Sequence, residues 1–91
     1  MTGFQWDVHQ ATANISKHGV SFDEAASIFL DEQALSGSDP DHSLGEARYI
    51  TFGVSKLGRL LTVSHTHRPG TIRIISARRV TRTERKIYEE G

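Results

Sequence analysis

The sequence predicts an α+β domain in which two N-terminal helices cover one face of an antiparallel sheet and a C-terminal helix ends the chain. Helix-capping patterns begin at Asp7, Ser21 and Thr81. Alternating apolar segments separated by turn residues fill positions 47–79, which is typical of neighbouring antiparallel strands. The predicted order is β-α-α-β-β-β-β-α, and a length of 91 residues indicates a single domain, 1–91.

The N-terminal part predicts a short strand followed by two helices. Residues 3–6 alternate like a strand, and Gly19 is suited to end the first helix. Helical spacing predicts the inward faces of the two helices, which are Val8, Ala11, Ile15 and His18 for the first and Phe22, Ala25, Ala26 and Phe29 for the second. Residues 33–36 have the composition of a further short strand.

The C-terminal part predicts three strands, at 47–55, 59–68 and 71–79, and a closing helix at 81–90. Strand alternation places the apolar residues on one face, which is predicted to be buried and comprises Ile50, Phe52, Val54, Leu61, Val63, Ile72 and Ile74. The opposite face is then polar and cationic and comprises Tyr49, Thr51, Thr62, Ser64, Arg73 and Arg79. This polar face is expected to bind a ligand.

Composition narrows the class of protein. Apolar residues make up 36% of the chain, which is enough for one core, and the absence of cysteine excludes disulfides and thiolate chemistry. No apolar segment has the length of a membrane span, and the N-terminus lacks the pattern of a signal peptide. We therefore expect a cytoplasmic protein without a membrane partner.

The formal net charge of zero hides two oppositely charged regions. Residues 1–55 have a net charge of −6, whereas residues 56–88 have a net charge of +8. Much of the positive charge lies at a strand-to-helix corner, on Arg73, Arg78, Arg79, Arg82, Arg85 and Lys86. Concentrated cations are typical of a phosphate-binding surface and predict RNA or DNA as ligand. The alternative is an ordinary solvated surface.

A titratable group, a carboxylate and a guanidinium occur together at His42, Glu46 and Arg48. Hydrolysis of RNA by in-line attack requires a base, an acid and cations that stabilise a phosphorane. His42 and Glu46 could supply the acid and base, because the pKa of arginine is too high for this role. The cations would be Arg48 with Arg68, Arg78 or Arg79. The alternative is that His42 bonds a loop backbone and that Glu46 pairs with Arg48.

His65 and His67 are two apart on a predicted strand and therefore point to one face. Such a pair could bind a metal, but a stable zinc site needs three or four ligands. A partly buried, hydrogen-bonded His65 is the favoured interpretation, and no metal or cofactor is predicted. A hydrolase that uses a metal ion bound by these histidines is one functional alternative.

An ordered series of short motifs resembles the BrnT toxin family of bacterial type II toxin–antitoxin systems. The motifs are Lys17-His18-Gly19-Val20-Ser21-Phe22, Glu24-Ala25, His42-Ser43, Glu46-x-Arg48, Gly58-Arg59-Leu60-Leu61, Thr66-x-Arg68, Arg73-Ile74-Ile75-Ser76-Ala77-Arg78, Thr81-x-x-Glu84-Arg85 and Tyr88. The resemblance implies a RelE-like fold and a metal-independent endoribonuclease that inhibits translation. It also implies a cognate BrnA-like antitoxin, a hetero-oligomer with it, and operator DNA bound only through the antitoxin.

The polar positions that match the family motifs are His42, Glu46, Arg48, Thr66, Arg68, Arg73, Ser76 and Arg78. From these, the predicted catalytic set is His42, Glu46, Arg48, Arg68 and Arg78. The predicted RNA-binding set is Arg73, Arg79 and Arg82. His67 stands where relatives often have an acidic residue, which leaves an inactive copy as an alternative. The functional alternative is a non-catalytic antitoxin-binding module that acts as a co-repressor in an operator-binding complex.

Overall fold

The computed structural model describes residues 3–39 and 46–91, and its elements follow the predicted order. The strands are β1 (Gly3–Gln5), β2 (Leu35–Ser38), β3 (Tyr49–Val54), β4 (Leu60–Arg68) and β5 (Thr71–Arg79). The helices are α1 (Val8–His18), α2 (Phe22–Ser27), which continues into a 3-10 turn at Ile28–Leu30, and α3 (Arg82–Glu90). None of these helices, within the described residues, is long and apolar enough to span a membrane.

The five strands form one sheet in the order β1-β5-β4-β3-β2. The pairs β2–β3, β3–β4 and β4–β5 are antiparallel, whereas β1 runs parallel to β5. Glycines with positive φ, Gly58 at 77° and Gly70 at 68°, allow the two tight turns that join β3 to β4 and β4 to β5. The β4–β5 pairing is irregular at Ser64/His65, where Ile75 is the extra residue on β5.

The helices α1 and α2 cover one side of the sheet, which we call the helical face. Its core comprises Val20, Phe22, Ala25, Ile28, Leu61, Val63, Ile74 and Ala77. The predicted inward face of α1 is confirmed at Ala11, which packs against this core, but it is wrong at Val8 and Ile15, which are exposed, and it missed Asn14, which is buried. The Asn14 amide donates to the carbonyls of Val20 and Ala77 at 2.8 Å and accepts from the Ala77 N–H. These bonds attach α1 to β5, so a polar residue occupies the inward position.

A buried ion pair joins the helices to the β3–β4 turn. Glu24 is 2% exposed and accepts hydrogen bonds from the guanidinium of Arg59 and, at 2.6 Å, from the hydroxyl of Ser55. Arg59 also donates to the carbonyl of Gly19 at the end of α1. The side-chain hydrogen bonds from Arg59 keep the pKa of Glu24 below its usual value despite burial. This group orients α1, α2 and the turn relative to one another.

The predicted faces of the sheet are wrong for β3. Thr51 lies opposite Val63, and Tyr49 lies opposite His65, so both side chains point to the helical face. Ile50, Phe52 and Val54 therefore share the other face with Thr62 and Ser64. The parity of an isolated strand does not reveal how it is aligned with its neighbour. Arg79 was also predicted on the polar face, but it lies opposite Leu61 on the helical face.

The helix α3 crosses the side of the sheet that carries Ile50 and Phe52, opposite the helical face. We call this side the α3 face. The predicted capping box is present, because Thr81 and Glu84 each accept a hydrogen bond from the other's backbone N–H. Near its end, the hydroxyl of Tyr88 donates to Asp31 at 2.7 Å. Although burial opposes it, hydrogen bonds from Val54, Gln33 and Tyr88 lower the pKa of Asp31. No residue of α3 is buried, and polar contacts join it to other elements near both ends, Glu84 with Arg78 of β5 and Tyr88 with Asp31.

Candidate functional site

The end of the sheet at which β4 finishes brings together residues that are far apart in sequence. Arg68, the last residue of β4, donates a hydrogen bond to Glu46 with 3.1 Å between Nη2 and Oε1. Their side chains are 45% and 48% exposed, respectively. The pair therefore lies in solvent, where a ligand can reach both partners.

Two further arginines lie beside this pair. Arg73 on β5 is the register partner of Thr66 on β4. On the other side of β4, the last register pair with β3 is Tyr49 with His65. If this pairing is extended by one residue, Arg48 lies opposite Thr66. Alternation then puts Arg48, Thr66, Arg68 and Arg73 on the α3 face. We call Arg48, Arg68 and Arg73 the arginine cluster.

The position of Arg48 is fixed by its backbone. Its carbonyl accepts a hydrogen bond of 2.9 Å from the N–H of Asp39, which extends the β2–β3 pairing beyond the strand. Within the described part of the chain, neither Arg48 nor Arg73 forms an ion pair. These two guanidinium groups, with that of Arg68, concentrate positive charge at one end of one face.

The other predicted phosphate-binding arginines lie elsewhere. Arg78 is the register partner of Thr62, six residues along β4 from Arg68, which is about 20 Å at the usual rise of a strand. Both of its terminal nitrogens donate to Glu84, at 2.8 and 2.9 Å. This interaction raises the pKa of Arg78 and lowers that of Glu84. The structure therefore does not bring Arg78 together with Arg68.

Arg79 and Arg82 were predicted to bind RNA, and both lie near Arg78 rather than near the arginine cluster. Arg79 is exposed on the last position of β5, and Arg82 is the exposed first residue of α3. Arg73 is the member of the predicted RNA-binding set that joins the cluster. The predicted acid–base residue His42 lies outside the described residues, so its role stays a prediction.

The helical face of the same end carries a chain of polar side chains that crosses three strands. The Ser36 hydroxyl is 2.6 Å from that of Thr51, which is 2.7 Å from Nε2 of His65. The other ring nitrogen of His65 is 3.1 Å from Nε2 of His67. Burial, and secondarily repulsion by His67, lowers the pKa of His65 to about 4. His65 is therefore a neutral, fully bonded core residue, as the favoured interpretation expected.

The ring of Tyr49 is stacked on that of His65, with centroids 6.0 Å apart, and is tilted against that of His67, with centroids 4.7 Å apart. The rings of Phe29 and His65 make a T-shaped contact, with centroids 5.0 Å apart. Among the described residues, no group of three or more histidine, aspartate or glutamate side chains is arranged to hold a metal ion.

An apolar groove of about 300 Å³ lies on the α3 face, between α3 and the β2–β3 pair. Its apolar walls are Leu35, Ile50, Phe52 and Ile87. Ile87 is 51% exposed in the groove. The edge of β2 lies beside the groove and has no further strand among the described residues. Sequence reasoning missed this groove because it assigned Ile50 and Phe52 to the opposite face.

The family model described as ribonuclease toxin, BrnT, of type II toxin–antitoxin system matches residues 6–84. The chain belongs to the BrnT toxin family. This BrnT-family chain is also similar in structure to the Brucella abortus ribonuclease toxin BrnT, with a TM-score of 0.67 and 20% sequence identity. The match covers 90% of this chain and 100% of the other. At this identity the structural likeness establishes the fold, and it confirms the predicted α+β class.

The comparison with curated proteins gives no match. Family membership makes this protein a type II toxin by descent and implies an antitoxin as partner. The resemblance of the sequence motifs is thereby confirmed.

Proposed function

We propose that this BrnT-family protein is the toxin of a toxin–antitoxin pair and cleaves RNA by acid–base catalysis without a metal ion. The observation that supports this most directly is the convergence of Glu46 and the arginine cluster on one end of one sheet face. Three guanidinium groups beside a carboxylate provide both a binding site for phosphate and a group that can accept a proton.

The proposed reaction begins when the arginine cluster binds a phosphodiester of single-stranded RNA. Arg68 leaves the carboxylate of Glu46 and donates to the non-bridging phosphate oxygens, which the planar guanidinium can bind through two parallel hydrogen bonds. This exchange frees Glu46 as an ionised carboxylate. Because the Glu46–Arg68 pair is half exposed, opening it costs little free energy.

Glu46 then accepts the proton of the ribose 2′-hydroxyl, whose oxygen attacks the phosphorus. The bond to the 5′-oxygen breaks, and His42 is proposed to protonate this leaving group. The products are a 2′,3′-cyclic phosphate and a 5′-hydroxyl. Guanidinium groups of Arg48 and Arg68 stabilise the additional negative charge of the phosphorane, as preorganised cations do in other phosphoryl-transfer sites. In this route the chain's own side chains supply every proton transfer and every cation.

Arg78 has no place in this chemical step, because it lies about 20 Å from Arg68 along the sheet. An extended single strand that follows β4 and β5 on the α3 face could reach Arg73 first and Arg78 several nucleotides later, at the end of the sheet where Arg82 begins α3 and Arg79 lies on the helical face. These outer arginines would then add salt-dependent affinity without taking part in bond breaking.

We further propose that cleavage of messenger RNA inhibits translation in the cytoplasm and that a BrnA-like antitoxin neutralises the activity. The apolar groove lies beside the edge of β2, which carries no further strand among the described residues. It supports such a partner, because an extended segment can add main-chain hydrogen bonds there and bury apolar side chains. Operator DNA would be bound through the antitoxin only.

The test is cleavage of a mixed-sequence single-stranded RNA by the purified protein in EDTA. We expect fragments that end in a 2′,3′-cyclic phosphate, and we expect a 2′-O-methyl RNA of the same sequence to remain intact. A Lys56→Gln variant is the control, since Lys56 pairs with Asp23 in the turn at the opposite end of the sheet. Absence of cleavage by the protein at all concentrations would contradict the proposal.

The groove also favours the alternative of a non-catalytic module that acts only in an operator-binding complex. A growth assay separates the two functions. Induction of this chain without its neighbouring gene arrests growth if it is a ribonuclease toxin, and co-induction restores growth. The non-catalytic alternative predicts tight complex formation but no arrest under either condition.

A further inference from the structure

Thr66, which lies among the residues of the arginine cluster, has a buried hydroxyl group without a hydrogen-bond partner among the described residues. The residue is 2% exposed, and its Oγ1 has no hydrogen-bond partner in the described parts of the chain. A buried hydroxyl without a partner typically costs about 1 to 3 kcal/mol of stability. Native proteins pair most such groups, so one that stays unpaired calls for a physical reason.

The neighbours that the strand register places around Thr66 on its own face are hydrogen-bond donors. Arg73 lies opposite it on β5, the continued register places Arg48 on the other side, and Arg68 is two residues further along the same strand. A guanidinium group has five N–H donors and no acceptor. The cluster can therefore donate hydrogen bonds but cannot receive the one that Thr66 offers.

Three guanidinium groups and an unpaired hydroxyl have one chemical complement, an anion with several acceptor oxygens. A phosphodiester group has two non-bridging oxygens that carry the negative charge and accept hydrogen bonds from several donors at once. The hydroxyl is already removed from water, so a bond to an anion does not require it to be desolvated again, although an anion reaches it only after neighbouring side chains move aside.

We propose that Thr66 is an RNA-binding residue, whose hydroxyl donates a hydrogen bond to a non-bridging oxygen of the phosphodiester held by the arginine cluster. This inference rests on the proposed ribonuclease function, and it assigns a neutral hydrogen-bond donor to the site. The hydroxyl is fixed by the backbone of β4, so it positions the phosphate relative to the strand, whereas the long arginine side chains can move with it.

The test compares Thr66→Val, which keeps the shape and removes the hydroxyl, with Thr66→Ser, which keeps the hydroxyl. Thr62→Val is the matched control, because Thr62 is a buried threonine on the same strand and the same face, four residues away. Three quantities are measured for each variant. They are the affinity for the uncleavable 2′-O-methyl RNA, kcat/KM for the ribose RNA, and the free energy of unfolding in urea.

We expect Thr66→Val to bind the uncleavable RNA and to cleave the ribose RNA about 10- to 100-fold less well, the usual effect of losing one hydrogen bond to a charged group. Its free energy of unfolding should be unchanged or higher, because no intramolecular bond is lost. Thr66→Ser and Thr62→Val should retain wild-type affinity and kcat/KM.

Two results would overturn the inference while leaving the ribonuclease proposal intact. In the first, wild type and Thr66→Val bind and cleave equally well. In the second, Thr66→Val loses stability and Thr66→Ser does not, which would mean that the hydroxyl is bonded within the fold. If the wild-type protein neither binds nor cleaves RNA, both the proposed function and this inference fail.

Discussion

The guanidinium of Arg68 donates a hydrogen bond to the carboxylate of Glu46, although the two residues are 22 positions apart in the sequence. Exposed ion pairs of this kind contribute about 0 to 1 kcal/mol to stability. The fold therefore gains little from placing the pair here. A carboxylate held beside three arginines is instead suited to a reaction in which phosphate competes for the guanidinium and releases the base.

Stability should depend on pH through His65. Burial lowers the pKa of this imidazole to about 4, so the unfolded chain, with an ordinary histidine, binds the proton more readily. The contribution of His65 to the free energy of unfolding is therefore fully present above the ordinary histidine pKa. This contribution is lost as the pH falls through the window between about 6.5 and 4. We expect a loss of about 2 to 3 kcal/mol between about pH 7.5 and about pH 4.5.

Urea unfolding at the two pH values measures this loss, and His67→Gln is a useful variant, because it removes the repulsion that contributes to the shift. The imidazole of His65 should then titrate at a slightly higher pH. An NMR titration that finds His65 protonating at the ordinary histidine pKa would contradict the assignment.

The buried pair of Glu24 and Arg59 should be a main source of stability. Glu24→Gln leaves the guanidinium of Arg59 partly buried without its counter-charge, and we expect a loss of about 3 kcal/mol in the free energy of unfolding. Asp23→Asn is the control next to it, because Asp23 forms an exposed pair with Lys56 and its loss should cost less than about 1 kcal/mol. Equal effects of the two variants would show that burial does not decide the energetics here.

Arg78 should act on α3 rather than on the chemical step. Its bidentate bond to Glu84 is partly buried, so Arg78→Gln should lower stability by about 1 to 2 kcal/mol. Cleavage should fall by less than about 10-fold at low temperature, where the variant stays folded. Arg85→Gln serves as the control on the exposed side of α3. If Arg78→Gln abolished cleavage and left stability unchanged, Arg78 would belong to the reaction centre.

Ile87 should contribute to antitoxin binding. A charge in the apolar groove would remain uncompensated in the complex, so Ile87→Asp should weaken affinity for the antitoxin at least about 10-fold. Ile15→Asp is the matched control, since Ile15 is equally exposed, at 51%, on the other side of the sheet. Calorimetric titration with the antitoxin measures both affinities, and equal values would exclude the groove as the binding surface. Neither change should affect RNA cleavage.

Local signals in the sequence were sufficient to predict the elements and their order. The capping residues Asp7, Ser21 and Thr81 each accept the expected backbone hydrogen bond, because capping depends on residues only a few positions apart. The β4–β5 strands likewise follow from alternation and from the turn at Gly70. Such features are determined within one short segment.

Features that depend on alignment between segments were harder to predict. Asn14 is buried because the carbonyl of Val20, which follows α1, and both backbone groups of Ala77 on β5 come within its reach, which helical spacing does not indicate. The parity of β3 depends on its register with β4, which reverses the face assigned to Ile50 and Phe52. Sequence analysis grouped Glu46, Arg68 and Arg78 in one predicted site, but the strand register, which separates Arg78 from Arg68, could not be read from any one segment.

The most direct test of the account is the rate at which Arg68→Gln cleaves single-stranded RNA in EDTA, measured against the wild type and Lys56→Gln. Because Arg68 is proposed both to bind the phosphate and to stabilise the phosphorane, we expect kcat/KM to fall at least about 100-fold. Stability should change by less than about 1 kcal/mol, and Lys56→Gln should cleave like the wild type. A folded Arg68→Gln protein that cleaves as fast as the wild type would contradict a ribonuclease site at this end of the sheet.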